Sequence, residues 1–224
     1  MMRRVLILSV LAVTALAGMA AEPAYKTHKP APFYHQRASL FEAMPTDTTD
    51  IIMLGNSITN GGEWHELFGS TRFKNRGISS DGIDGVRGRI DPILAGQPAK
   101  IFLMIGINDI AREMPPYMVA AKIVDLADYV RAQSPRTQLY VQSVLPYNGV
   151  FERFVGLKGK EPLIVELNDM LRNGAGAHGY TYVDLFSSFA DADGMLDTRY
   201  TNDGLHLTGA GYQLWAQLLQ PYIN

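Results

Sequence analysis

Three side chains that can together cleave an ester are a serine at position 57, an aspartate at 203 and a histidine at 206. A serine hydroxyl is a poor nucleophile until a base takes its proton. The base, usually histidine, needs an acceptor on its second ring nitrogen to fix its tautomer. Asp203 lies three residues before His206, within reach of that nitrogen. We therefore predict Ser57 as nucleophile, His206 as general base and then acid, and Asp203 as the residue that orients the histidine.

Attack by a serine on an ester creates an oxyanion, which is stabilised by preorganised hydrogen-bond donors. We predict three donors: the backbone N–H of Ser57, the backbone N–H of Gly77 and the side-chain amide of Asn108. A glycine at 77 would let the backbone approach a substrate closely. Each residue also has a simpler interpretation, because serine, asparagine and glycine are common in turns and a histidine can cap a helix or pack in a core.

Strands and helices must bring these distant residues together. Apolar segments rich in β-branched residues predict five strands, over 50–55, 72–77, 100–106, 138–145 and 180–186. Helices are predicted over 33–44, 116–133, 162–173 with an end at Gly174, and 208–220 with an end at Pro221. The alternation predicts an α/β fold with a parallel sheet between helices. Ligands bind at the carboxyl ends of such strands, and each candidate residue ends or follows a predicted strand.

Composition limits the classes of protein to be considered. The chain has 224 residues, of which 47% are hydrophobic and 19% charged, with a formal net charge of −2. These values are typical of one globular domain. No long basic run is present, so we predict no nucleic-acid partner. There is no cysteine, which excludes disulfides and a thiol nucleophile. The histidines outside the predicted triad lack metal-ligand spacing, and we predict neither a metal site nor a cofactor.

The N-terminus has the pattern of a secretory signal. Arg3 and Arg4 precede the apolar run 5–20, which ends in small residues. We predict a signal peptide over 1–20, a lead-in segment over 21–46 and the main domain over 47–224, hence an exported protein without stable membrane insertion after cleavage. The alternative is an uncleaved anchor, although the run is shorter than the roughly 20 residues that a membrane span needs.

Four short segments then carry a family resemblance. "GNSIT", "NRGIS", "GIND" and "DGLH" occur in the order and spacing of the four blocks of the SGNH (GDSL-type) hydrolases, which this chain resembles over nearly its whole mature length. The name-giving residues match Ser57, Gly77, Asn108 and His206, and the triad aspartate matches Asp203. Asn56 departs from the family, which has aspartate at this position. Asparagine keeps a carbonyl acceptor and loses the charge, outside the triad.

The resemblance implies a flavodoxin-like three-layer α/β/α sandwich of about five parallel strands and metal-free catalysis. "IFLMIGINDI", "LYVQSVLPYN" and "NDGLHLTGAGYQLWA" are similar to a branch with acetylhydrolases and secreted bacterial carbohydrate acetylesterases. It therefore implies an esterase acting on short acyl esters, acetyl above all, on a small molecule or glycan. One alternative is a lysophospholipase or thioesterase of the same fold. Another is a non-catalytic glycan-binding protein on this scaffold.

A long connection over 146–161 follows the fourth predicted strand, on the same edge as the candidate residues. Long loops in compact domains are often functional. We predict substrate contacts from Tyr147, Phe151, Arg153 and Phe154, which could stack on a sugar or line a groove for an acyl chain. The alternative is a surface loop packed by its own aromatic side chains.

Overall fold

Five short strands form one sheet in which every neighbouring pair is parallel. The computed structural model describes residues 30–223, so the predicted signal peptide lies outside the described residues. The strands are β1 Ile51–Gly55, β2 Phe73–Gly77, β3 Lys100–Met104, β4 Gln138–Gln142 and β5 Thr181–Val183. Their order in the sheet is β2-β1-β3-β4-β5. All five predicted strands and the predicted parallel α/β class are confirmed.

Ten α-helices occur within residues 30–223. They are α1 Pro32–Glu42, α2 Ser57–Asn60, α3 Trp64–Leu67, α4 Ile83–Gly88, α5 Asp91–Ala95, α6 Ile107–Ala111, α7 Pro116–Gln133, α8 Glu161–His178, α9 Phe186–Phe189 and α10 Gly209–Leu219. Three 3₁₀ turns lie at Gly149–Phe151, Val155–Leu157 and Gln220–Tyr222. Helices α4, α5, α7 and α8 pack side by side, as do α3 and α10. Right-handed crossovers place these two groups on opposite faces of the sheet, which gives the three-layer α/β/α arrangement.

The central strands are buried on both faces, which explains their continuous apolar sequences. Ile51, Ile52, Met53 and Leu54 of β1 are all almost fully buried. Strand register then sets the position of the site, because Gly55 pairs with Gly77 of β2 and with Met104 of β3. The carboxyl ends of the three strands are therefore level, and the segments that follow them begin at the same edge.

Helix α8 is longer than the sequence pattern predicts. The predicted end at Gly174 is wrong, because the helix continues to His178 and ends before Gly179, whose φ of 67° is left-handed. A glycine inside a helix costs about 1 kcal/mol relative to alanine. Here it leaves room for a neighbour, since a Cβ at Gly174 would lie 3.1 Å from the hydroxyl of Tyr180. That hydroxyl donates a hydrogen bond to the Leu171 carbonyl of the same helix.

Candidate active site

Ser57 is the first residue of α2, directly after the turn that follows β1. The side chain of Asn56 forms this turn, since its Oδ1 accepts the N–H of Ile58 at 3.0 Å. Asn56 is buried. This geometry explains how asparagine can replace the aspartate of the SGNH pattern. Capping requires an acceptor oxygen, which asparagine has, and does not depend on a charge.

The predicted triad residues are in contact. Ser57 Oγ lies 2.9 Å from His206 Nε2, and His206 Nδ1 lies 2.8 Å from Asp203 Oδ2. A neutral histidine protonated on Nδ1 donates to the aspartate and accepts from the serine through Nε2. Ser57 and His206 are 149 positions apart in the chain, so the sheet and its connections create this contact.

Asp203 is held by several donors at once. Its Oδ1 accepts the backbone N–H of Leu205 at 2.9 Å and that of His206 at 2.8 Å, while Oδ2 faces the imidazole. Burial alone would raise the pKa of Asp203, but hydrogen bonds from the His206 side chain and from these two N–H groups hold the pKa below its ordinary value. The carboxylate is therefore ionised, as a partner for an imidazolium must be.

The turn that carries Asp203 and His206 is tied to the loop after β4. Gly204 has a φ of 87°, and a Cβ there would lie 2.3 Å from the carbonyl oxygen of Asn148. The N–H of Asn148 donates to the Gly204 carbonyl at 2.9 Å. Thr201 Oγ1 accepts the Gly204 N–H at 2.9 Å from within the turn. A left-handed backbone packed this tightly accommodates glycine alone.

Two of the three predicted oxyanion donors have hydrogens to offer. Ser57 is at the first position of a helix, where an N–H has no intrahelical acceptor. Asn108 donates one amide hydrogen to the Asp81 carbonyl at 2.8 Å, and its second amide hydrogen is left for another acceptor. The Asp81 bond fixes the orientation of the amide.

Gly77 is placed differently from the prediction. Its N–H donates to Asn75 Oδ1 at 2.8 Å and is therefore already used. A Cβ at position 77 would lie 2.2 Å from the backbone nitrogen of Asn60, so glycine is required for the packing of β2 against α2. The prediction of Gly77 as an oxyanion donor is corrected on this ground, because an engaged N–H cannot also bind a substrate oxygen without losing its partner.

Ser80, three residues further on, was not predicted. The N–H of Asp81 donates to the Ile78 carbonyl at 3.2 Å and closes a turn in which Ser80 has a φ of 64°. The N–H of Ser80 has no acceptor among residues 30–223, and the residue is exposed. Its carbonyl accepts from the Arg112 guanidinium at 2.6 Å. Sequence gave no signal here, since this position of a turn favours glycine or asparagine.

Helix α6 holds the loop that contains Ser80. Asn108 and Arg112 contact the Asp81 and Ser80 carbonyls, and the Asp109 carboxylate accepts the N–H of Ile83 at 3.2 and 3.3 Å. Asp109 is 5% exposed. Burial raises the pKa of Asp109 to about 6, against the opposing effects of the Ile83 hydrogen bond and the Arg112 charge. Asp109 therefore changes its charge in mildly acidic solution.

A buried ion pair joins the strand ends to the same loop. Arg89 Nε donates to Asp81 Oδ2 at 2.9 Å, and both side chains are almost fully buried. The remaining nitrogens of Arg89 donate to the carbonyls of Arg76 at 2.9 Å and Gly55 at 3.1 Å. Removing either charge would leave the other buried and unpaired, which typically costs 3–5 kcal/mol. The ends of β1 and β2 are thus fixed to the segment that carries Ser80.

The four predicted substrate-binding residues have separate positions. The Phe154 ring meets the His206 ring edge to face, with centroids 5.5 Å apart. Phe151 packs beside Gly204, and Arg153 is exposed without an ion-pair partner among residues 30–223. Tyr147 is only 1% exposed, and its hydroxyl donates to the Phe154 carbonyl at 3.4 Å. The prediction that Tyr147 stacks on a sugar is corrected, because its ring is buried in the core. Its hydroxyl instead contacts the backbone of Phe154.

No group of three or more histidine, aspartate or glutamate side chains between residues 30 and 223 is arranged to hold a metal ion. Within the same range no helix has the length and apolar composition needed to cross a membrane.

Comparison with known proteins decides the family. Residues 53–214 match the model of the GDSL-like lipase/acylhydrolase family, a span that includes Ser57, Asp203 and His206. The chain belongs to this family. It is therefore a carboxylic-ester hydrolase of the SGNH type. No curated protein matches it.

Solved structures with the same fold include several hydrolases. A protein from Streptococcus pneumonia, provisionally named a platelet activating factor, is 28% identical with a TM-score of 0.76, over 86% of this chain and 93% of that one. A GDSL-like lipase from Bacteroides thetaiotaomicron is 24% identical with a TM-score of 0.74, over 85% and 96%. Axe2, an acetylxylan esterase from Geobacillus stearothermophilus, is 16% identical with a TM-score of 0.65, over 80% and 95%. The last two likenesses concern the fold alone.

Proposed function

We propose that this hydrolase is an exported serine esterase that removes short acyl groups, acetyl above all, from carbohydrate esters. The observation that carries the proposal is the continuous series of contacts from Ser57 to His206 to Asp203, at 2.9 and 2.8 Å. This is the arrangement that activates a serine for attack on a carbonyl carbon.

The reaction begins when Ser57 Oγ attacks the ester carbonyl and His206 Nε2 takes the hydroxyl proton. The tetrahedral oxyanion accepts hydrogen bonds from the Ser57 N–H, the Ser80 N–H and the free hydrogen of the Asn108 amide. Collapse of this intermediate expels the alcohol, which His206 protonates, and leaves an acyl-serine. Water then attacks the acyl-serine, with His206 again as base, and releases the acid.

The position of Phe154 favours a substrate whose alcohol part contains a ring. Its ring lies against the imidazole that must protonate the leaving alcohol, so an alcohol held there would meet an aromatic surface. Aromatic surfaces bind the apolar faces of sugars and of other rings. The fold shared with the acetylxylan esterase Axe2 supports this choice.

A series of 4-nitrophenyl esters from acetyl to decanoyl tests the acyl preference, with Ser57→Ala as the control for non-enzymatic release. We expect kcat/KM to be highest for acetyl and to fall with each longer chain. Rates that rise with chain length would instead favour a lysophospholipase or thioesterase. Acetate release from acetylated xylo-oligosaccharides, compared with acetylated small alcohols, then tests the carbohydrate preference.

Export is the second part of the proposal. Arg3, Arg4 and the apolar run that follows them support it, as argued from the sequence. Expression with the native N-terminus in a bacterial host, followed by intact-mass measurement, should yield a chain that begins at Ala21. A protein that keeps residues 1–20 and remains with the membrane would contradict export by cleavage.

A further inference from the structure

We propose that Tyr212 is a positioning residue whose hydroxyl holds the helix beginning at Ser57 against the segment that carries His206. The inference rests on the proposed function, because this alignment matters only if the two residues react together. The hydroxyl of Tyr212 donates to the Ile58 carbonyl at 2.8 Å, across 154 positions of sequence. Ile58 directly follows the proposed nucleophile.

The Ile58 carbonyl depends on this hydroxyl. Helix α2 has only four residues, and a carbonyl in a longer helix would accept the N–H four positions on. That N–H belongs to Gly62, and it donates to the Thr59 carbonyl at 3.3 Å instead. A short helix without such outside donors would have unpaired carbonyls at its end.

Other donors hold α2 to the sheet and not to the histidine. Asn75 of β2 donates through Nδ2 to the carbonyls of Thr59 at 3.2 Å, Asn60 at 3.0 Å and Gly62 at 2.9 Å. Among residues 30–223, the Tyr212 bond is the one hydrogen bond between α2 and residues 201–212 besides the Ser57–His206 contact itself. Without it, the separation of nucleophile and base would depend on their own hydrogen bond and on ring packing.

The ring of Tyr212 is itself fixed. It lies 6.0 Å from the Trp64 ring at 83° and 6.3 Å from the Trp215 ring at 11°, measured between centroids. It belongs to α10, which begins three residues after His206, so a short rigid path connects the hydroxyl to the imidazole. Burial raises the pKa of Tyr212 well above its ordinary value, and the hydroxyl is therefore protonated wherever the enzyme works.

Tyr212→Phe removes the hydroxyl and keeps the ring packing. We expect kcat to fall on the order of tenfold with KM little changed, because small misplacements of reacting groups cost rate rather than binding. The rate at which an alkyl fluorophosphonate modifies Ser57 should fall by the same factor. Both are measured well below the unfolding temperature of each variant, so that a loss of stability cannot imitate the effect.

Tyr180→Phe is the matched control. Tyr180 is another tyrosine that donates to a backbone carbonyl, that of Leu171, but it lies between α8 and β5, far along the sheet from β1. A merely structural role for Tyr212 predicts that both variants lose thermal stability and that both retain kcat. With a positioning role for Tyr212, we expect kcat to fall in Tyr212→Phe and to stay unchanged in Tyr180→Phe.

A second variant tests the same bond without deleting the hydroxyl. A Cβ at Gly61 would lie 2.4 Å from the Tyr212 oxygen, while the φ of −74° at Gly61 suits alanine. Gly61→Ala should push the hydroxyl away and lower kcat to a similar degree. The double variant Gly61→Ala/Tyr212→Phe should be no slower than Tyr212→Phe alone, because residues acting through one contact are not additive.

The outcomes separate the two proposals. If Ser57→Ala is inactive while Tyr212→Phe and Gly61→Ala both retain kcat within twofold of the wild type, the inference about Tyr212 is overturned and the proposed function stands. Equal kcat losses in Tyr212→Phe and Tyr180→Phe would also overturn it. If Ser57→Ala hydrolyses esters at the wild-type rate, the proposed function fails, and the positioning role fails with it.

Discussion

Asp203 shows how a single residue serves both the backbone and the chemistry. One carboxylate oxygen accepts two backbone N–H groups, and the other faces the imidazole. Asp203→Asn can keep the first set of contacts through its amide oxygen. It would then present an N–H donor to His206, which forces the wrong tautomer on the base.

We therefore expect Asp203→Asn to lower kcat by about 10⁴ while the protein keeps its fold. The measurement is kcat for 4-nitrophenyl acetate, with circular dichroism as the check on folding. A folded variant that retains a tenth or more of the wild-type rate would show that Asp203 does not orient the base.

Ser80 supplies a backbone N–H, so its side chain should matter only through the left-handed turn. Ser80→Gly suits the φ of 64° and should leave kcat within about twofold of the wild type, with equal or higher stability. Ser80→Val, with a β-branched side chain that opposes this φ, should displace the N–H and lower kcat by roughly 10²–10³, as for the loss of one oxyanion donor. The assignment fails if Ser80→Val, correctly folded, is as active as Ser80→Gly.

Among the helices and loops, α6 is joined to the start of α4 through the Asp109 carboxylate, which accepts the N–H of Ile83. Burial raises the pKa of Asp109 from its ordinary value of 3.8 to about 6 in the folded protein. A carboxyl group with a raised folded pKa contributes stability below pH 3.8, and that contribution is lost as pH rises through about 6. The ionised form is the costly one, because it is buried.

The Asp109→Asn variant has no charge to bury at this position. Its stability relative to the wild type should therefore increase as pH rises. The difference in unfolding free energy, variant minus wild type, should increase by about 3 kcal/mol between pH 3.5 and pH 7. Urea titrations at the two pH values measure it. A difference that is the same at both pH values would mean that Asp109 does not titrate in this window.

The elements that sequence predicts well are those with strong local patterns. The sequence shows β1 and β3 as continuous apolar runs and α7 as a periodic apolar face. The predicted bounds of α7 agree with Pro116–Gln133. The one-turn helices α2 to α6 carry no such pattern, since four to six residues have too few repeats to show one. Gly174 misled the prediction because tertiary packing outweighed its local cost.

At the site, the contacts that join Ser57, His206 and Asp203 could be predicted because the proposed chemistry depends on these three side chains. Backbone N–H donors can come from any residue except proline, so residue type does not identify them. Gly77 was a reasonable choice from sequence, but its N–H belongs to Asn75 and its missing side chain serves packing. The donor role proposed for Ser80 could not be predicted, because it depends on a backbone angle that serine seldom adopts.

At the scale of the whole molecule, level strand ends bring together residues from both halves of the sequence. Gly55, Gly77 and Met104 lie in register, and the loop before α10 places His206 over the same edge. The sheet and the buried Arg89–Asp81 pair connect the segments that carry the site residues. We therefore expect Ser57 to be reactive only when the rest of this edge is intact.

Covalent labelling is the most direct measurement of that claim. The folded wild-type protein is treated with an alkyl fluorophosphonate and digested, and the modified peptide is sequenced by mass spectrometry. We expect one label per molecule, on Ser57, and labelling that is slower by on the order of a hundredfold in His206→Ala. A label on another serine, or equal labelling of His206→Ala, would contradict it.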